Sequence, residues 1–490
     1  MMNKINCFIS YNRAEVWKET LEELSSSPLV NRIYLLGKEQ EETLPEGCGF
    51  IKTDANFSTD TIRKIADHST GTGYALVISR ESKIRFGMLA LERFLELASG
   101  TGAGMIYSDY FDLVEGKLTG HPVIDYQSGS LRDDFDFGPV LFFNSRALID
   151  AAGTIKESLG YAGLYQLRLK VSQEGLPLRI PENLYAVEPV DTRVSGKKMF
   201  DYVDPKNRQV QLEMEQAVTG HLKEIGGYLE PGFDPIKFDE GEFPVEASVI
   251  IPVLNREKTV ADAIESVMLQ ETDFEYNLIL VDNHSTDGTT SIVGELAKKY
   301  PNLIHVVPGR HDLGIGGCWN VGVHHPQCGK FAVQLDSDDL YSEKDTLQLM
   351  VAAFYEQQCA MVVGTYQMTN FKLEEIPPGV IDHKEWTPEN GRNNALRING
   401  LGAPRAFYTP VLRKINVPNV SYGEDYGVGL AISRHYQIGR IYKSLYLCRR
   451  WEDNSDASLS VEALNRHNIY KDRLRSFELR ARIKMNKERG

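Results

Sequence analysis

The sequence contains neither closely spaced cysteines nor a long apolar segment. Its six cysteines lie far apart without a C-x-x-C pair, which argues against zinc and disulfide frameworks and indicates a reducing compartment. No apolar run is long enough for a membrane-spanning helix, and the opening residues MMNKINCFIS lack the layout of a signal peptide. We therefore expect a soluble, cytoplasmic protein.

Acidic residues outnumber basic ones, with 68 Asp and Glu against 54 Lys and Arg. The formal net charge is −14 and the isoelectric point is about 5.4, so a nucleic-acid partner is not expected. The glycine-rich stretch 314–320 matches neither G-x-x-x-x-G-K-[ST] nor G-x-G-x-x-G, the patterns of the familiar phosphate-binding loops. With 490 residues, of which 42% are apolar, the chain is long enough for two or three globular domains.

The most informative stretch is FAVQLDSDD, residues 331–339, where an apolar strand ends in three aspartates. Ligands of open α/β sheets bind at the carboxyl ends of strands. At an effective dielectric near 20, two like charges about 4 Å apart cost roughly 4 kcal/mol. A divalent cation such as Mg²⁺ or Mn²⁺ would offset this cost. An Asp-rich turn that caps the next helix is the alternative interpretation.

Residues 246–298 alternate between apolar strand patterns and helical patterns, which predicts an α/β fold with a mostly parallel sheet. ASVIIPVL and NLILVD are the predicted buried strands, and the second ends at Asp282. Farther along, Glu424 and Asp425 precede the helical pattern that begins at Val428. Their carboxylates suit either the positive end of a helix dipole or a general base at the mouth of a pocket.

The N-terminal half is similar to the C-terminal half, with the segments in the same order. INCFISYNR (5–13) aligns with VIIPVLNR (249–256), and YALVISRES (74–82) aligns with FAVQLDSDD. The further aligned pairs are GPVLFFNSRALI (138–149) with GAPRAFYTPVLR (402–413), and 161–187 with 422–448. This order and spacing favour an internal duplication over chance similarity.

The two copies differ mainly at the acidic positions, while the apolar pattern is kept. The replacements in the first half are Gly37 for Asp282, Ser79 for Asp336, Glu81 for Asp338, and Gly163-Leu164 for Glu424-Asp425. We therefore expect the first half to be a non-catalytic copy.

Over residues 246–455 the chain resembles family 2 glycosyltransferases of the GT-A fold. The motifs are VIIPVLNRE, LVDNHSTDGT, GIGGCWNVG, DSDD, GED and a closing RRW, in the order and spacing of the family. The resemblance implies two tandem GT-A domains, the second catalytic and the first degenerate. Two departures are DNHSTD, where many members have DDGSTD, and the absence of the glutamine of the processive Q-x-x-R-W motif.

The resemblance also implies a role for the polar groups of these motifs. Asp425 would be the catalytic base, with Glu424 beside it, in a single displacement that inverts the anomeric centre. Asp338, together with Asp336, would hold Mn²⁺ or Mg²⁺ at the donor diphosphate, and Asp336 would also reach the ribose. The other nucleotide-binding candidates are Pro252, Asn255, Glu257, Asp282 (at the base), Asp287 and Asn320.

Four residues fall where members of the family shape the donor-sugar pocket: Asn399, Gly400, Gly402 and Arg405. Arg405 would pair there with a diphosphate or an acidic group, and an exposed surface arginine is the alternative. The resemblance implies a nucleotide-sugar donor, with UDP favoured over GDP, and a hexosyl or N-acetylhexosaminyl group moved to a glycan or lipid-linked acceptor in polysaccharide biosynthesis. The competing interpretations are an inactive sugar-nucleotide-binding scaffold and a sugar-nucleotide pyrophosphorylase. The latter is disfavoured because its glycine- and lysine-rich loop is missing.

We predict four segments: a degenerate GT-A-like domain at 1–225, a linker at 226–245, a catalytic domain at 246–460 and a basic helical tail at 461–490. The tail is expected to pack on the catalytic domain as a solvated helix. The alternative is peripheral contact of 465–490 with an anionic surface at the inner face of the cell membrane. Whether the protein forms an oligomer is left open.

Overall fold

The computed structural model describes residues 3–11, 14–39, 44, 46–55, 57–189, 208–384, 386–450 and 459–489. The chain divides into two compact units. Unit 1 comprises Met1–Tyr228 and Ser460–Gly490, and unit 2 comprises Leu229–Leu459. Trp451, in the closing RRW motif, lies outside the described residues. Within the described part of the chain, no helix is long and apolar enough to cross a bilayer.

Unit 1 alternates strands and helices through most of its length. Its elements before the chain enters unit 2 are β1 (Ile5–Ser10), α1 (Ala14–Ser26), β2 (Val30–Gly37), β3 (Cys48–Lys52), α2 (Thr59–His68), β4 (Tyr74–Ile78), β5 (Ser82–Phe86), α3 (Ala90–Thr101), β6 (Met105–Val114), β7 (Lys117–His121), β8 (Val140–Asn144), α4 (Ser145–Thr154), α5 (Gly163–Glu174), β9 (Leu178–Pro189) and α6 (Arg208–Glu224).

Unit 2 has a similar succession of elements, and one long helix follows it. The elements of unit 2 are β10 (Ala247–Val253), α7 (Val260–Met268), β11 (Tyr276–Asp282), α8 (Thr289–Lys299), β12 (Leu303–Val306), α9 (Ile315–Val323), β13 (Phe331–Gln334), β14 (Leu340–Tyr341), α10 (Thr346–Gln357), β15 (Met361–Thr369), β16 (Glu375–Ile381), α11 (Gly391–Asn394), β17 (Arg405–Tyr408), α12 (Thr409–Ile415), α13 (Glu424–His435) and β18 (Ile438–Arg449). The last helix, α14 (Val461–Arg489), belongs to unit 1.

The two units contain nine-stranded sheets with the same strand order. The order is β3-β2-β1-β4-β8-β6-β9-β5 in unit 1 and β12-β11-β10-β13-β17-β15-β18-β14 in unit 2. The ninth strand also corresponds, since β7 pairs with β6 and β16 pairs with β15. Each sheet is mixed, with parallel pairing among its first four strands and antiparallel pairing where β8 or β17 joins. The predicted α/β class with two tandem GT-A domains and a C-terminal helix is confirmed.

The first strands of unit 2 form because their sequences are continuously apolar. Ile250, Ile251 and Leu280 are fully buried, as expected for strands covered on both faces. Helix α7 covers this sheet with Val260, Ala263, Ile264 and Val267, spaced three or four residues apart, all of them buried.

Strand β10 pairs in parallel with β11 on one side and with β13 on the other. The carboxyl ends of the three strands therefore lie along one edge of the sheet. Asp282 is the last residue of β11, and Asp336 comes two residues after the end of β13. This arrangement positions the predicted acidic residues at a single edge.

Helix α14 packs on unit 1, so the expectation that the tail packs on the catalytic domain is wrong. Ser130 Oγ donates to Asp472 Oδ2 at 2.8 Å, and the Gly129 amide donates to Ser476 Oγ at 2.9 Å. A Cβ atom on Gly129 would lie 2.2 Å from the Ser476 nitrogen, so only glycine permits this approach. The buried polar groups of α14 thus find their partners in unit 1.

Candidate active site

The aspartate turn, residues 336–339, connects β13 to the short strand β14. The Asp336 amide donates to Tyr446 Oη at 3.1 Å, and Gln334 Nε2 donates to Asp336 Oδ1 at 2.9 Å. The Arg449 amide donates to Asp339 Oδ1 at 2.8 Å. The turn is therefore held by β18, the strand that carries Tyr446 and Arg449.

The turn carries more negative charge than its protein surroundings neutralise. Burial raises the pKa of Asp336, and the charge of Asp338 adds to this, although Arg405 acts in the opposite direction. Burial also raises the pKa of Asp339 well above its usual value, with further contributions from Asp336 and Asp338. A cation at this turn would relieve both effects.

Arg405 and the first residues of α13 form the second part of the site. Arg405 Nη1 lies 2.7 Å from Asp425 Oδ2, and the side chains are 17% and 27% exposed. Burial alone would lower the pKa of Arg405, but the carboxylates of Asp425, Asp336 and Glu424 raise it. The guanidinium therefore lies among three carboxylates from two elements that are distant in sequence.

The pKa of Glu424 is shifted close to neutral pH by its surroundings in the site. Burial and the neighbouring charge of Asp425 raise the pKa of Glu424 to about 7. Its Oε2 atom is buried and has no hydrogen-bond partner within the described residues. Glu424 is therefore partly protonated near neutral pH, while Asp425 is paired with Arg405.

Gly402 shapes the backbone that holds Arg405. Its φ angle is +102°, and an added Cβ would lie 2.7 Å from His383 Cδ2. Its carbonyl oxygen accepts a hydrogen bond from Arg405 Nη1 at 2.9 Å. Glycine is required here by both the backbone conformation and the space.

Three predicted nucleotide-binding residues lie where hydrogen bonds connect the loop after β10 with the loop after β11. Asn255, with φ of +53°, accepts the Thr286 amide on Oδ1 at 2.8 Å. The Gly288 amide donates to Glu257 Oε2 at 2.9 Å, and the Glu257 amide donates to Asp287 Oδ2 at 3.1 Å. These bonds make one rim from two loops.

Asp282 faces the protein interior at this rim. Its side chain is 1% exposed. It accepts hydrogen bonds from the Ser285 amide at 3.0 Å and from Thr290 Oγ1 at 2.6 Å. Burial would raise the pKa of Asp282, but these hydrogen bonds outweigh burial and lower it. Asp282 thus shapes the turn before α8, and its predicted contact with the base remains a prediction.

Asn320 and Pro252 lie on elements next to this rim. The Asn320 side chain donates to the Val417 carbonyl at 2.7 Å and accepts from the Val417 amide at 2.9 Å, so it ties α9 to the segment before α13. Pro252 lies in β10 opposite Val281 of β11 and is partly exposed. The contacts of Asn320 are structural, and a nucleotide role for either residue remains a prediction.

Four residues of the site were not among the predicted ones. Gln334, Tyr446 and Arg449 hold the aspartate turn, and Arg256 Nε lies 3.8 Å from Asp338 Oδ2. Arg256 belongs to the VIIPVLNRE motif and Arg449 to the RRW motif, so the motifs could have identified both arginines as site residues. Tyr446 is identical to its counterpart in the first half, which is a weaker signal.

The residues of the aspartate turn fit a divalent cation. Among the described residues, no group of three or more His, Cys, Asp or Glu side chains is arranged to hold a metal by itself. Mg²⁺, however, is commonly bound by one or two carboxylates together with substrate phosphates. The excess negative charge of the turn and its hard oxygen ligands suit such a shared site.

The corresponding edge of unit 1 is filled by ion pairs. Arg80, which follows β4, lies 2.8 Å from Asp136, and His121 Nε2 lies 3.3 Å from the same carboxylate. His121 Nδ1 lies 2.6 Å from Asp112. Asp112 and Asp136 of unit 1 are therefore paired with side chains of the protein itself.

Comparison with known proteins shows the family to which the chain belongs. Residues 248–413 match the model of Glycosyl transferase family 2. The chain is 32% identical over 187 residues to the putative teichuronic acid biosynthesis glycosyltransferase TuaG of Bacillus subtilis, covering 38% of this chain and 71% of TuaG. The chain belongs to glycosyl transferase family 2.

Two further similarities place the match in context. The minor teichoic acid biosynthesis protein GgaB of Bacillus subtilis is 39% identical over 241 residues, which are 46% of this chain and 25% of GgaB. The chain thus spans about a quarter of the length of that relative. A crystal structure of S. aureus TarS 1–349 in complex with UDP-GlcNAc is 24% identical, with a TM-score of 0.37, over 48% of this chain and 71% of that one.

Proposed function

We propose that the protein moves a sugar from a UDP-sugar to a hydroxyl group of a glycan acceptor, with inversion and with the help of a divalent metal. One observation carries the proposal: the two acidic groups of the site are joined by a chain of contacts. Asp425 pairs with Arg405, the Arg405 amide donates to Gln334 Oε1 at 3.2 Å, and Gln334 Nε2 donates to Asp336. This chain of contacts supports the assignment of Asp425 and Asp336 to one site.

Asp336 and Asp338 would hold Mn²⁺ or Mg²⁺ at the donor diphosphate. The raised pKa of Asp336 supports this assignment, because burial and the charge of Asp338 leave its carboxylate poorly neutralised by the protein. When bound, the cation supplies Lewis-acid stabilisation of the leaving diphosphate. The rim that contains Asn255, Glu257 and Asp287 would bind the nucleoside.

Asp425 would act as the general base. The acceptor oxygen forms its bond to the anomeric carbon while the bond from that carbon to the diphosphate oxygen breaks, and the acceptor proton passes to Asp425. Attack from the face opposite the leaving group inverts the anomeric centre. A guanidinium beside a carboxylate favours the ionised form, which is the form a base needs, and Arg405 holds this position.

The names of the relatives support a cell-wall glycan as the acceptor. GgaB is described as a minor teichoic acid biosynthesis protein and TuaG as a putative teichuronic acid biosynthesis glycosyltransferase. The first name refers to teichoic acid biosynthesis and the second to teichuronic acid biosynthesis. Unit 1 would be a non-catalytic copy that scaffolds the enzyme or positions the acceptor, since ion pairs fill its corresponding edge.

The first test is thermal stability with UDP, GDP, CMP and dTDP, each with and without Mn²⁺. A ligand at about 100 times its dissociation constant adds roughly 2.7 kcal/mol to the folded state. We expect a metal-dependent shift with UDP that is lost in Asp338→Asn and kept in Asp425→Asn. A preference for GDP would contradict the UDP assignment alone.

The second test is turnover. We expect Asp425→Asn to lower the turnover number by about 10²- to 10⁴-fold, the usual contribution of a general base. Glu295→Gln is the matched control, because Glu295 is an exposed carboxylate on α8, 75% accessible and paired only with Lys298 in its ion-pair contacts. Unchanged turnover in both Asp338→Asn and Asp425→Asn would overturn the proposal.

A further inference from the structure

Helix α14 presents an exposed stripe of cationic side chains. Between Arg466 and Lys487, the exposed positions follow one another at intervals of three or four residues, so they share one face of the helix. The cations of this stripe are Arg466, Arg473, Arg480, Lys484 and Lys487. At 1.5 Å per residue they extend over about 32 Å.

Two large apolar side chains lie within the same stripe. Ile469 is 37% exposed and Phe477 is 57% exposed. The stripe thus combines cations, which are attracted to anionic lipids, with apolar side chains, which gain free energy when they enter the interface.

The opposite face of α14 is anchored by charges that are buried in unit 1. Arg475 and Asp472 are both 0% exposed and lie 2.8 Å apart, and Arg482 and Glu478 lie 2.7 Å apart at 0% and 3% exposure. Asp472 also accepts from Ser130. Losing one partner of such a pair would leave an unpaired buried charge, so the helix is fixed in its rotation about its own axis.

The charge of the stripe contrasts with that of the whole chain. The chain carries a net charge of −14, whereas the stripe contains five cations and is bordered by the carboxylates of Glu462 and Glu488. Lys484 pairs loosely with Glu488 at 3.7 Å, and neither Arg473 nor Arg480 forms an ion pair of 4.0 Å or less with the described residues. Such a local cationic surface is complementary to an anionic one.

We propose that this stripe docks unit 1 on an anionic lipid bilayer. The cations would lie among the lipid phosphates, and Phe477 and Ile469 would enter the boundary between headgroups and acyl chains. A soluble polyanion would use the five cations but leave Phe477 and Ile469 without a role. The inference is independent of the proposed function, because α14 lies in unit 1 and the candidate active site lies in unit 2.

The test is co-sedimentation of the full chain with vesicles of phosphatidylcholine alone or with 30% phosphatidylglycerol. We expect binding only to the anionic vesicles, weakened by salt. Each cation near such a surface contributes roughly five-fold to binding. Arg473→Glu/Arg480→Glu should therefore bind at least twenty-five-fold more weakly. Phe477→Ser should bind several-fold more weakly, with the same dependence on salt.

The matched control is Arg146→Glu/Lys298→Glu, which reverses two exposed charges elsewhere and should bind as the unaltered chain does. Because all substituted side chains are exposed, melting temperature and turnover of a soluble acceptor should not change. Equal binding to neutral vesicles, or no binding to anionic ones, would overturn the proposal. So would binding of inorganic polyphosphate by the stripe without any binding of anionic vesicles.

Discussion

Arg405 Nη1 and Asp425 Oδ2 lie 2.7 Å apart, although the two residues belong to a strand and a helix separated by α12. The pair joins the acidic helix start to the aspartate turn. It explains how several carboxylates coexist in one partly buried site. Removing the guanidinium would leave Asp336, Glu424 and Asp425 to repel one another.

We expect Arg405→Met to lower the turnover number at least tenfold and to destabilise unit 2 by ~2 kcal/mol, the scale of a hydrogen bond to a charged group. Arg405→Lys should recover part of both, because it keeps the charge but not the geometry of the guanidinium. Steady-state kinetics and urea unfolding measure the two effects. A methionine variant with unaltered turnover would show that the pair has no catalytic consequence.

The pKa of Glu424, raised to about 7 by burial and by Asp425, predicts a pH effect on turnover. Ionisation of Glu424 places a second negative charge beside Asp425 and makes that carboxylate a stronger base. The turnover number should therefore rise as pH increases through about 7, and this step should disappear in Glu424→Gln. A profile of Glu424→Gln that keeps the step would assign the ionisation to another group.

Gly402 and Gly400 offer a matched pair of substitutions in one loop. Gly402→Ala is expected to destabilise the fold by about 1–3 kcal/mol, because alanine is strained at φ of +102° and its Cβ would meet His383 at 2.7 Å. Gly400→Ala meets no atom within 4 Å and should have little effect. Urea unfolding compares the two variants, and equal stabilities would contradict the strain argument.

The His121–Asp136 contact predicts how the stability of unit 1 depends on pH. Burial would lower the pKa of His121, but hydrogen bonds to Asp136 and Asp112 outweigh burial and raise it above 6.5. Burial would raise the pKa of Asp136, but His121 and Arg80 outweigh burial and lower it below 3.8. The contribution of His121 to the stability of the folded state is complete below pH 6.5, its pKa in the unfolded chain. It is lost as pH rises through the higher pKa of the folded state. The contribution of Asp136 to stability is present above pH 3.8, its pKa in the unfolded chain. It is lost as pH falls through the lower pKa of the folded state.

Thermal unfolding of unit 1 should accordingly occur at lower temperature when the pH is raised above 6.5. The dependence should be weaker in Asp136→Asn, which removes the carboxylate but not the hydrogen-bonding side chain. Scans with separate probes for the two units are needed, since a chain with two domains need not unfold in one step. If unit 1 unfolds with the same pH dependence in the unaltered chain and in Asp136→Asn, the dependence does not arise from the His121–Asp136 pair.

The strands and their acidic ends could be predicted because they depend on local sequence. The apolar runs around Ile250 and Leu280 form parallel strands, and the similarity of the two halves matches the common strand order of the sheets. The aspartates after β13 could be predicted as candidate site residues because three carboxylates at a strand end repel one another unless a cation lies between them. These features need no knowledge of distant contacts.

The remaining features depend on contacts between distant residues and could not be read from local pattern. The pairing of Arg405 with Asp425 requires β17 and α13 to be in place. The burial of Asp282 depends on Thr290 and Ser285 turning toward it. The packing of α14 on unit 1 could not be predicted because it depends on contacts with distant residues, such as those of Gly129 and Ser130 with the helix.

Unit 1 is discontinuous in sequence, and this has a consequence for how the protein is made. Met1–Tyr228 leave the ribosome before unit 2, but Ser460–Gly490 emerge only after unit 2. Until then Ser130 and Gly129 lack the partners that Asp472 and Ser476 provide. The order of synthesis therefore reverses the usual order in which an N-terminal domain is completed first. Unit 2 can therefore complete its fold while unit 1 still lacks the helix that Gly129 and Ser130 contact.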